Sequence, residues 1–164
     1  PKVNETFTLD TLRTWEGLSK ASGITMGTGV YETTFDLTEG EREEKGKVER
    51  VKSNVECKRW AIDLGDVRES ARVYINDEYV GCAWCVPYVL TFDSSILKPT
   101  GNKLRIEVTN LPANRIADMD RRKVEWRKFD DINIVNINYK YRQYDSWKPM
   151  KSGLNGAVRI GQIP

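Results

Sequence analysis

The most constraining feature of the sequence is residues 60–92, where apolar and polar side chains alternate along three short segments joined by turn residues. Alternation with a period of two is typical of half-buried β-strands, because successive side chains of a strand point to opposite faces. In the second segment Val73 and Ile75 share one face, and Asn76-Asp77 follows with residues that tolerate the positive φ of a tight hairpin turn. The stretch therefore predicts neighbouring antiparallel strands.

Alternation of the same kind recurs at residues 31–37, 88–92 and 104–108, and Gly81 indicates a bulge or a close backbone approach. At least six alternating segments with turn residues between them predict an all-β jelly-roll sandwich of two antiparallel sheets. The predicted core consists of inward-facing apolar residues of these segments: Phe35, Trp60, Ile62, Leu64, Val73, Ile75, Leu90, Phe92, Leu104, Ile106, Val108 and Val158.

Length and charge limit the classes of function. A chain of 164 residues favours a single domain, residues 1–164, with one core. Its 26 basic and 24 acidic side chains nearly cancel, so no concentrated basic face points to a nucleic-acid partner. No apolar run approaches the roughly 20 residues of a membrane span. Because the chain begins with Pro1 and shows no signal peptide, we expect a domain excised from a larger protein.

The reactive side chains argue against catalysis and metal binding within this chain. It contains no histidine, which excludes Ser-His and Cys-His nucleophilic schemes. Cys82 and Cys85 form a C-x-x-C on an apparent strand, without the helix start or second ligand pair that redox and zinc sites need. We predict that these thiols pack as small apolar groups, with a disulfide from Cys57 to one of them left open. No catalytic residue, metal or cofactor is predicted.

Residues 111–151 form an unusually long connection between two clear strands. Connections of this length are usually functional or disordered. Six aromatic residues and a cluster of four aliphatic ones make the segment too apolar to stay solvated, so we predict an ordered flap folded onto the sandwich. Within it, residues 132–141 are expected to add to a sheet edge. A helical turn is expected at residues 118–127, without a sustained helix.

Five blocks of the sequence carry a resemblance to a known family. G-T-G-V-Y-E-T-T-F-D-L at residues 27–37 is followed by L-G-D-V at 64–67 and S-A-R-V-Y-I-N-D-E-Y-V-G at 70–81. Downstream lie G-N-K-L-R-I-E-V-T-N at 101–110 and S-G-L-N-G-A-V-R-I at 152–160. In this order and spacing they resemble the sugar-binding β-sandwich domain of glycoside hydrolase family 2 and related large bacterial polysaccharide-degrading glycosidases. That domain is a jelly roll of the galactose-binding-like type.

The resemblance implies a non-catalytic domain that either binds a poly- or oligosaccharide or braces the catalytic barrel of its parent enzyme. In that family the catalytic carboxylates come from a separate (β/α)₈ barrel, so no catalysis is expected from this domain alone. The resemblance also implies a bacterial protein in the periplasm or outside the cell. Two alternatives stay open: a structural interaction module that binds no sugar and, less favoured, an autonomous glycosidase.

Carbohydrate binding has a physical basis in residues 111–151, which combine aromatic rings for stacking with side chains that hydrogen-bond hydroxyls. For any single aromatic we favour the alternative, a ring that caps the core with its polar tip in water. The resemblance adds that one acid of this segment reaches the barrel's substrate pocket, and Asp118, Asp120 and Asp145 stay open for that role. The candidate carbohydrate-binding residues are Asn114, Arg115, Asp118, Asp120, Trp126, Tyr144, Asp145 and Trp147.

Overall fold

The computed structural model describes residues 3–37, 59–127 and 142–163. Strands dominate it, and its helices are short. The strands are β1 (Thr28–Phe35), β2 (Arg59–Asp63), β3 (Val67–Arg68), β4 (Ser70–Ile75), β5 (Glu78–Ala83), β6 (Val89–Asp93), β7 (Asn102–Thr109), β8 (Gly153–Leu154) and β9 (Arg159–Gln162). The α-helices are α1 (Lys20–Gly23) and α2 (Ala113–Arg121), and 3-10 turns lie at Trp15–Gly17 and Ser94–Ile96.

Antiparallel pairing organises these strands into two main sheets. The four-stranded sheet has the order β1-β7-β4-β5 and the three-stranded sheet the order β6-β2-β9, while β3 pairs with β8. Ile62 of the smaller sheet lies in one buried cluster with Val73 and Ile106 of the larger sheet. The predicted all-β sandwich of antiparallel sheets is confirmed.

The core is built largely from the side chains that alternation predicted. Seven predicted residues are buried: Ile62, Leu64, Val73, Ile75, Leu104, Ile106 and Val108. Phe35, Leu90, Phe92 and Val158 are half-buried and pack against this cluster. Trp60, which we also expected in the core, is half-buried near the start of β2, where it pairs with Gln162 near the end of β9.

The β4–β5 hairpin follows the sequence prediction closely. Asn76 and Asp77 both have positive φ, 52° and 69°, as a tight two-residue turn requires. Val73 pairs with Gly81 but Tyr74 pairs with Tyr79, so the register shifts at this point, as expected of a bulge. A Cβ on Gly81 would lie 3.3 Å from a methyl carbon of Leu90, which confirms the predicted close approach.

Trp15 joins the N-terminal segment to the sandwich. Its side chain is buried in the core cluster, and its indole nitrogen donates to the hydroxyl of Tyr31 at 2.8 Å. The same hydroxyl accepts from the backbone nitrogen of Leu154 at 3.0 Å, and the backbone nitrogen of Trp15 donates to the carbonyl of Ser152 at 3.1 Å. These bonds hold the segment before β1 against β8.

The prediction for the C-x-x-C thiols is wrong. Cys82 and Cys85 are both free and exposed, so neither packs as a buried apolar group. Cys82 lies on the outward side of β5, whereas its neighbour Ala83 fills the core position. Strand alternation therefore sends this thiol to solvent.

Other predictions fall on residues that the structure does not describe. They concern Cys57 itself and the expected sheet-edge strand at residues 132–141. Among residues 3–37, 59–127 and 142–163, no helix has the length and hydropathy needed to cross a membrane.

Candidate functional site

The segment after β7 forms the nine-residue helix α2, so the expectation of no sustained helix was wrong. The helix begins before the turn predicted at residues 118–127 and includes its first part. Its buried residues are mostly polar: Asn114, Ala117, Asp118 and Asp120.

Asn114 connects α2 to the returning chain. Its amide nitrogen donates to the carbonyl of Met150 at 2.7 Å, and its amide oxygen accepts from the backbone nitrogen of Met150 at 2.8 Å. The side chain thus satisfies both backbone groups of one residue, as a neighbouring strand would. These two hydrogen bonds hold Met150 beside the helix.

Asp120 is the hydrogen-bonding centre of the same region. Only 3% of its side chain is exposed. Its carboxylate accepts from the indole nitrogen of Trp126 at 2.7 Å and from the backbone nitrogen of Tyr144 at 2.8 Å, with the guanidinium of Arg127 at 3.5 Å. Burial raises the pKa of Asp120, but these hydrogen bonds and the Arg127 charge outweigh burial, so the pKa lies below its ordinary value of 3.8.

The lowered pKa predicts how stability depends on pH. A carboxylate with a lowered folded-state pKa stabilises the fold above its unfolded pKa and loses that contribution as pH falls through the folded pKa. We therefore expect the stability difference between the wild type and Asp120→Asn to stay constant from about pH 5 to 8. Below about pH 4 it should shrink. Urea unfolding across this pH range measures the stability difference. A difference that grows as the pH falls would contradict the lowered pKa of Asp120.

Asp118 forms a second ionic cluster on the other side of the helix. Its carboxylate lies 2.8 Å from a guanidinium nitrogen of Arg122 and 3.3 Å from one of Arg115. The spacings i, i+4 and i, i+3 place these side chains beside each other on a helix. Arg115, one of the candidate carbohydrate-binding residues, thus contacts an internal carboxylate.

Arg121 shapes the chain at residues 144–147. Its guanidinium donates to the carbonyl of Asp145 at 2.8 Å and to the carbonyl of Trp147. A turn closes between them, with the backbone nitrogen of Trp147 donating to the carbonyl of Tyr144 at 3.1 Å. The turn places the rings of Tyr144 and Trp147 with centroids 4.5 Å apart and planes tilted by 54°. We call these two rings the aromatic pair.

The aromatic pair is partly open to solvent. Trp147 is 38% exposed and Tyr144 is half-buried. The guanidinium carbon of Arg127 lies 4.5 Å from the ring centroid of Trp126 and 5.8 Å from that of Tyr144, a cation–π geometry. Arg127 therefore bridges Trp126 and Tyr144, while Trp147 is the more exposed ring of the aromatic pair.

The structure thus places the eight predicted site residues on α2, just after it at Trp126, and on the chain that returns beside it. Asn114, Asp118 and Asp120 are buried, whereas Asp145 is exposed. Whether any of the eight contacts a sugar stays a prediction. Sequence reasoning passed over Arg121 as the residue that shapes the turn, since nothing in the sequence shows which arginine binds carbonyl oxygens.

A shallow cleft of about 400 Å³ lies beside α2. Arg115 borders it, together with residues of the N-terminal segment and of the α1 region: Val3, Asn4, Glu5, Ala21, Ile24, Thr25 and Met26. Within the described part of the chain, no three His, Cys, Asp or Glu side chains are grouped to hold a metal ion.

Comparisons with known proteins place these features in context. No protein-family model matches the chain. It is 27% identical over 172 residues to a Formosa agariphila protein assigned as a β-glucuronidase, covering 94% of this chain and 14% of that protein. It also resembles the rhamnosidase of Novosphingobium sp. PP1Y, with a TM-score of 0.58 and 25% identity over 90% of this chain and 12% of that enzyme.

A more distant likeness is to the β-glucuronidase of Bifidobacterium dentium, with a TM-score of 0.43 and 18% identity over 58% of this chain. A TM-score this low supports no statement about function. The relatives are glycoside hydrolases, and the chain spans about an eighth of the length of the first two. It therefore resembles one small part of large glycosidases.

Proposed function

We propose that this chain is a non-catalytic accessory domain of a large glycoside hydrolase and that it binds carbohydrate on the aromatic pair. The observation that carries the proposal is the geometry of Tyr144 and Trp147. Their ring centroids lie 4.5 Å apart, Trp147 is 38% exposed, and hydrogen bonds from α2 hold the turn that carries them. Sugars present C–H faces that stack on such rings and hydroxyls that take hydrogen bonds from neighbouring polar groups.

The turn is preorganised, which favours binding because little conformational entropy is lost when the ligand arrives. Arg121 fixes two carbonyl groups of the turn and Asp120 fixes its first backbone amide. In this role the buried carboxylate of Asp120 positions the aromatic pair. The exposed carboxylate of Asp145 is then the acid best placed to reach a hydroxyl or a neighbouring domain.

Charge favours glycans with acidic groups among the possible ligands. Residues 113–127 and 142–151 carry eight Arg or Lys side chains and four Asp or Glu side chains. Although Asp118 and Asp120 pair with arginines, eight basic against four acidic side chains leave these segments with a net charge of +4. A basic surface raises the local concentration of an anionic chain at low salt.

The parent's activity is part of the proposal. A domain of a bacterial enzyme acting on rhamnose- or uronate-containing glycans agrees with the names of the two relatives, with catalysis in a separate barrel and a periplasmic or extracellular location. Within that parent, the sandwich is a jelly roll of the galactose-binding-like type.

A second candidate function, bracing of the catalytic barrel without sugar binding, has its own observation. Trp84 is 72% exposed and Val86 is 79% exposed in the connection between β5 and β6. Large apolar side chains exposed together often mark a protein interface. Binding through this connection would make the chain an interaction module.

The two functions are separated by a pair of tryptophan variants. Trp147→Ala should weaken retention in affinity gels containing rhamnogalacturonan or glucuronoxylan by at least about tenfold, which corresponds to about 1.4 kcal/mol. Trp84→Ala removes an equal side chain from an exposed site and should leave retention unchanged.

Weaker retention of Trp84→Ala than of Trp147→Ala would contradict the proposal, since it would move the sugar surface to the β5–β6 connection. Equal retention of wild type, Trp147→Ala and Trp84→Ala would do so as well. No retention of the folded wild type on either polysaccharide would favour the bracing function.

A further inference from the structure

The outer face of the four-stranded sheet carries aromatic and charged side chains in a row. Along β4 and β7 buried residues alternate with outward ones, so Tyr74 and Arg105 point away from the core. Strand register aligns a row across all four strands, in the order Tyr79, Tyr74, Arg105 and Glu32. Neighbouring strands lie about 4.8 Å apart, so the row is about 14 Å long.

Contacts join the side chains of this row. The ring centroids of Tyr74 and Tyr79 lie 5.4 Å apart, with planes tilted by 53°. The guanidinium carbon of Arg105 lies 4.0 Å from the ring centroid of Tyr74, and its Nη1 donates to Oε1 of Glu107 at 2.7 Å. These contacts fix two rings and two charged groups relative to one another. We call Tyr74, Tyr79, Arg105 and Glu107 the tyrosine face.

The register shift in β5 turns Tyr79 outward. Val73 pairs with Gly81, so regular pairing would place Tyr79 opposite Ile75, whose side chain is buried. The shift instead pairs Tyr79 with the outward Tyr74, and Tyr79 is 58% exposed. Bulges often re-aim a side chain and are over-represented beside functional sites. The exposed ring therefore depends on a specific irregularity of the sheet.

The tyrosine face combines a stacking surface with hydrogen-bonding groups. The exposed ring of Tyr79 can stack on the C–H face of a sugar. The ion pair of Arg105 and Glu107 uses one guanidinium nitrogen and one carboxylate oxygen, so further donor nitrogens and a second oxygen lie outside it. The two side chains are 37% and 18% exposed. Donors and an acceptor beside an exposed ring suit a ligand with hydroxyl groups.

The charges of this face balance, unlike those of the segments that carry the aromatic pair. Arg105 lies opposite Glu32 in the row, and Arg72 lies opposite Glu107 in the next row. Equal numbers of acidic and basic side chains give an anionic chain no general attraction. The balance favours a neutral ligand.

We propose that the tyrosine face binds a neutral oligosaccharide. One sugar ring stacks on Tyr79, and hydroxyls farther along the row hydrogen-bond with Arg105 and Glu107. A row of about 14 Å exceeds the width of one sugar ring, so a short chain fits it better than a monosaccharide. This site lies on the sheet and does not rest on the sugar site proposed at the aromatic pair.

The test is an NMR titration of the ¹⁵N-labelled chain with cellohexaose and with mannohexaose, using glucose and hexagalacturonate as matched probes. At least one neutral hexaose should shift the backbone amide signals of Tyr74, Tyr79 and Arg105 in a saturable way. Glucose should bind at least about tenfold more weakly because it covers only part of the row. Hexagalacturonate should also bind this face more weakly, because the face is not basic.

Three results of this titration would overturn the proposal. The first is no saturable shift at the tyrosine face with either neutral hexaose. The second is glucose or hexagalacturonate binding there as tightly as the better hexaose. The third is a set of shifts at these residues that follows protein concentration without sugar, which would make the face an interface between copies of the chain.

Variants of Tyr79 locate the site. Tyr79→Ala should weaken binding of the better hexaose at least about tenfold, whereas Tyr79→Phe keeps the ring and should bind nearly as the wild type does. Trp147→Ala should also bind it at the tyrosine face as the wild type does, so failure of this site and failure of the aromatic pair are distinguishable. Equal affinity of the wild type and Tyr79→Ala would overturn the proposal.

Discussion

Trp15→Ala is expected to lower the free energy of unfolding by about 3–5 kcal/mol, the range for truncation of a large aromatic residue in a core. The side chain is 6% exposed and belongs to the cluster between the sheets. Its removal would also leave the Tyr31 hydroxyl without the indole donor at 2.8 Å. Gly29 and Gly153 leave room for this ring, since a Cβ on either would lie within 2.6 Å of a Trp15 side-chain atom.

Urea denaturation followed by circular dichroism measures this effect. Trp84→Ala is the matched control, because that side chain is 72% exposed and its loss should cost no more than about 0.5 kcal/mol. If the two variants were equally stable, Trp15 would not hold the N-terminal segment to the sandwich.

Asp120→Ala is expected to lower the free energy of unfolding by about 2–3 kcal/mol, which is the second-largest effect we expect. The substitution removes the acceptor for the indole nitrogen of Trp126 and for the backbone nitrogen of Tyr144, and it leaves Arg127 without its carboxylate. Hydrogen bonds to a charged group contribute about 1.5–3 kcal/mol, and an unpaired buried donor adds a desolvation cost. Arg127 is partly exposed, at 24% of its side chain, so water recovers part of that cost.

The control for this variant is Asp145→Ala, which removes a carboxylate from an exposed position on the same segment. Its backbone carbonyl still accepts from Arg121, so stability should change by no more than about 0.5 kcal/mol. Asp120→Ala should also weaken polysaccharide retention, because the turn that carries the aromatic pair loses a support. Full stability of Asp120→Ala would mean that the carboxylate does not organise this region.

The fold was predictable where local chemistry and tertiary structure agree. The β4–β5 hairpin shows this agreement: alternation defines its buried face, and Asn76-Asp77 has the positive φ that the turn needs. Trp15 could not be assigned to the core in the same way. It precedes the first strand in a short 3-10 turn, and its burial depends on Tyr31 and on Ser152, which is far away in the sequence.

The candidate site was predictable in composition but not in arrangement. The aromatic and charged residues of the 111–151 segment marked it as functional, and the structure places Asn114, Asp120, Tyr144 and Trp147 in one region. The helix that carries two of them was missed because its buried face is polar and is satisfied by distant backbone groups such as those of Met150. The sequence does not show which distant backbone groups a polar side chain will bind.

The exposed thiols illustrate a different limit. Cysteine is among the most buried residue types, and this tendency led us to predict buried positions for Cys82 and Cys85. The bulge at Gly81 and the alternation of β5 determine which side chains face the core, and Ala83 occupies that position. A register shift of one residue reverses every following side chain, and composition alone does not reveal it.

The most direct test of the proposed function uses the five tryptophans as reporters. Each indole N–H gives its own signal in a ¹⁵N correlation spectrum, and the chain would be titrated with rhamnogalacturonan oligosaccharides. We predict that the indole signal of Trp147 shifts in a saturable way, together with the backbone amide of Tyr144, while those of Trp15 and Trp84 stay in place. A saturable shift confined to Trp84, or no shift of any indole in the folded chain, would contradict carbohydrate binding at the aromatic pair.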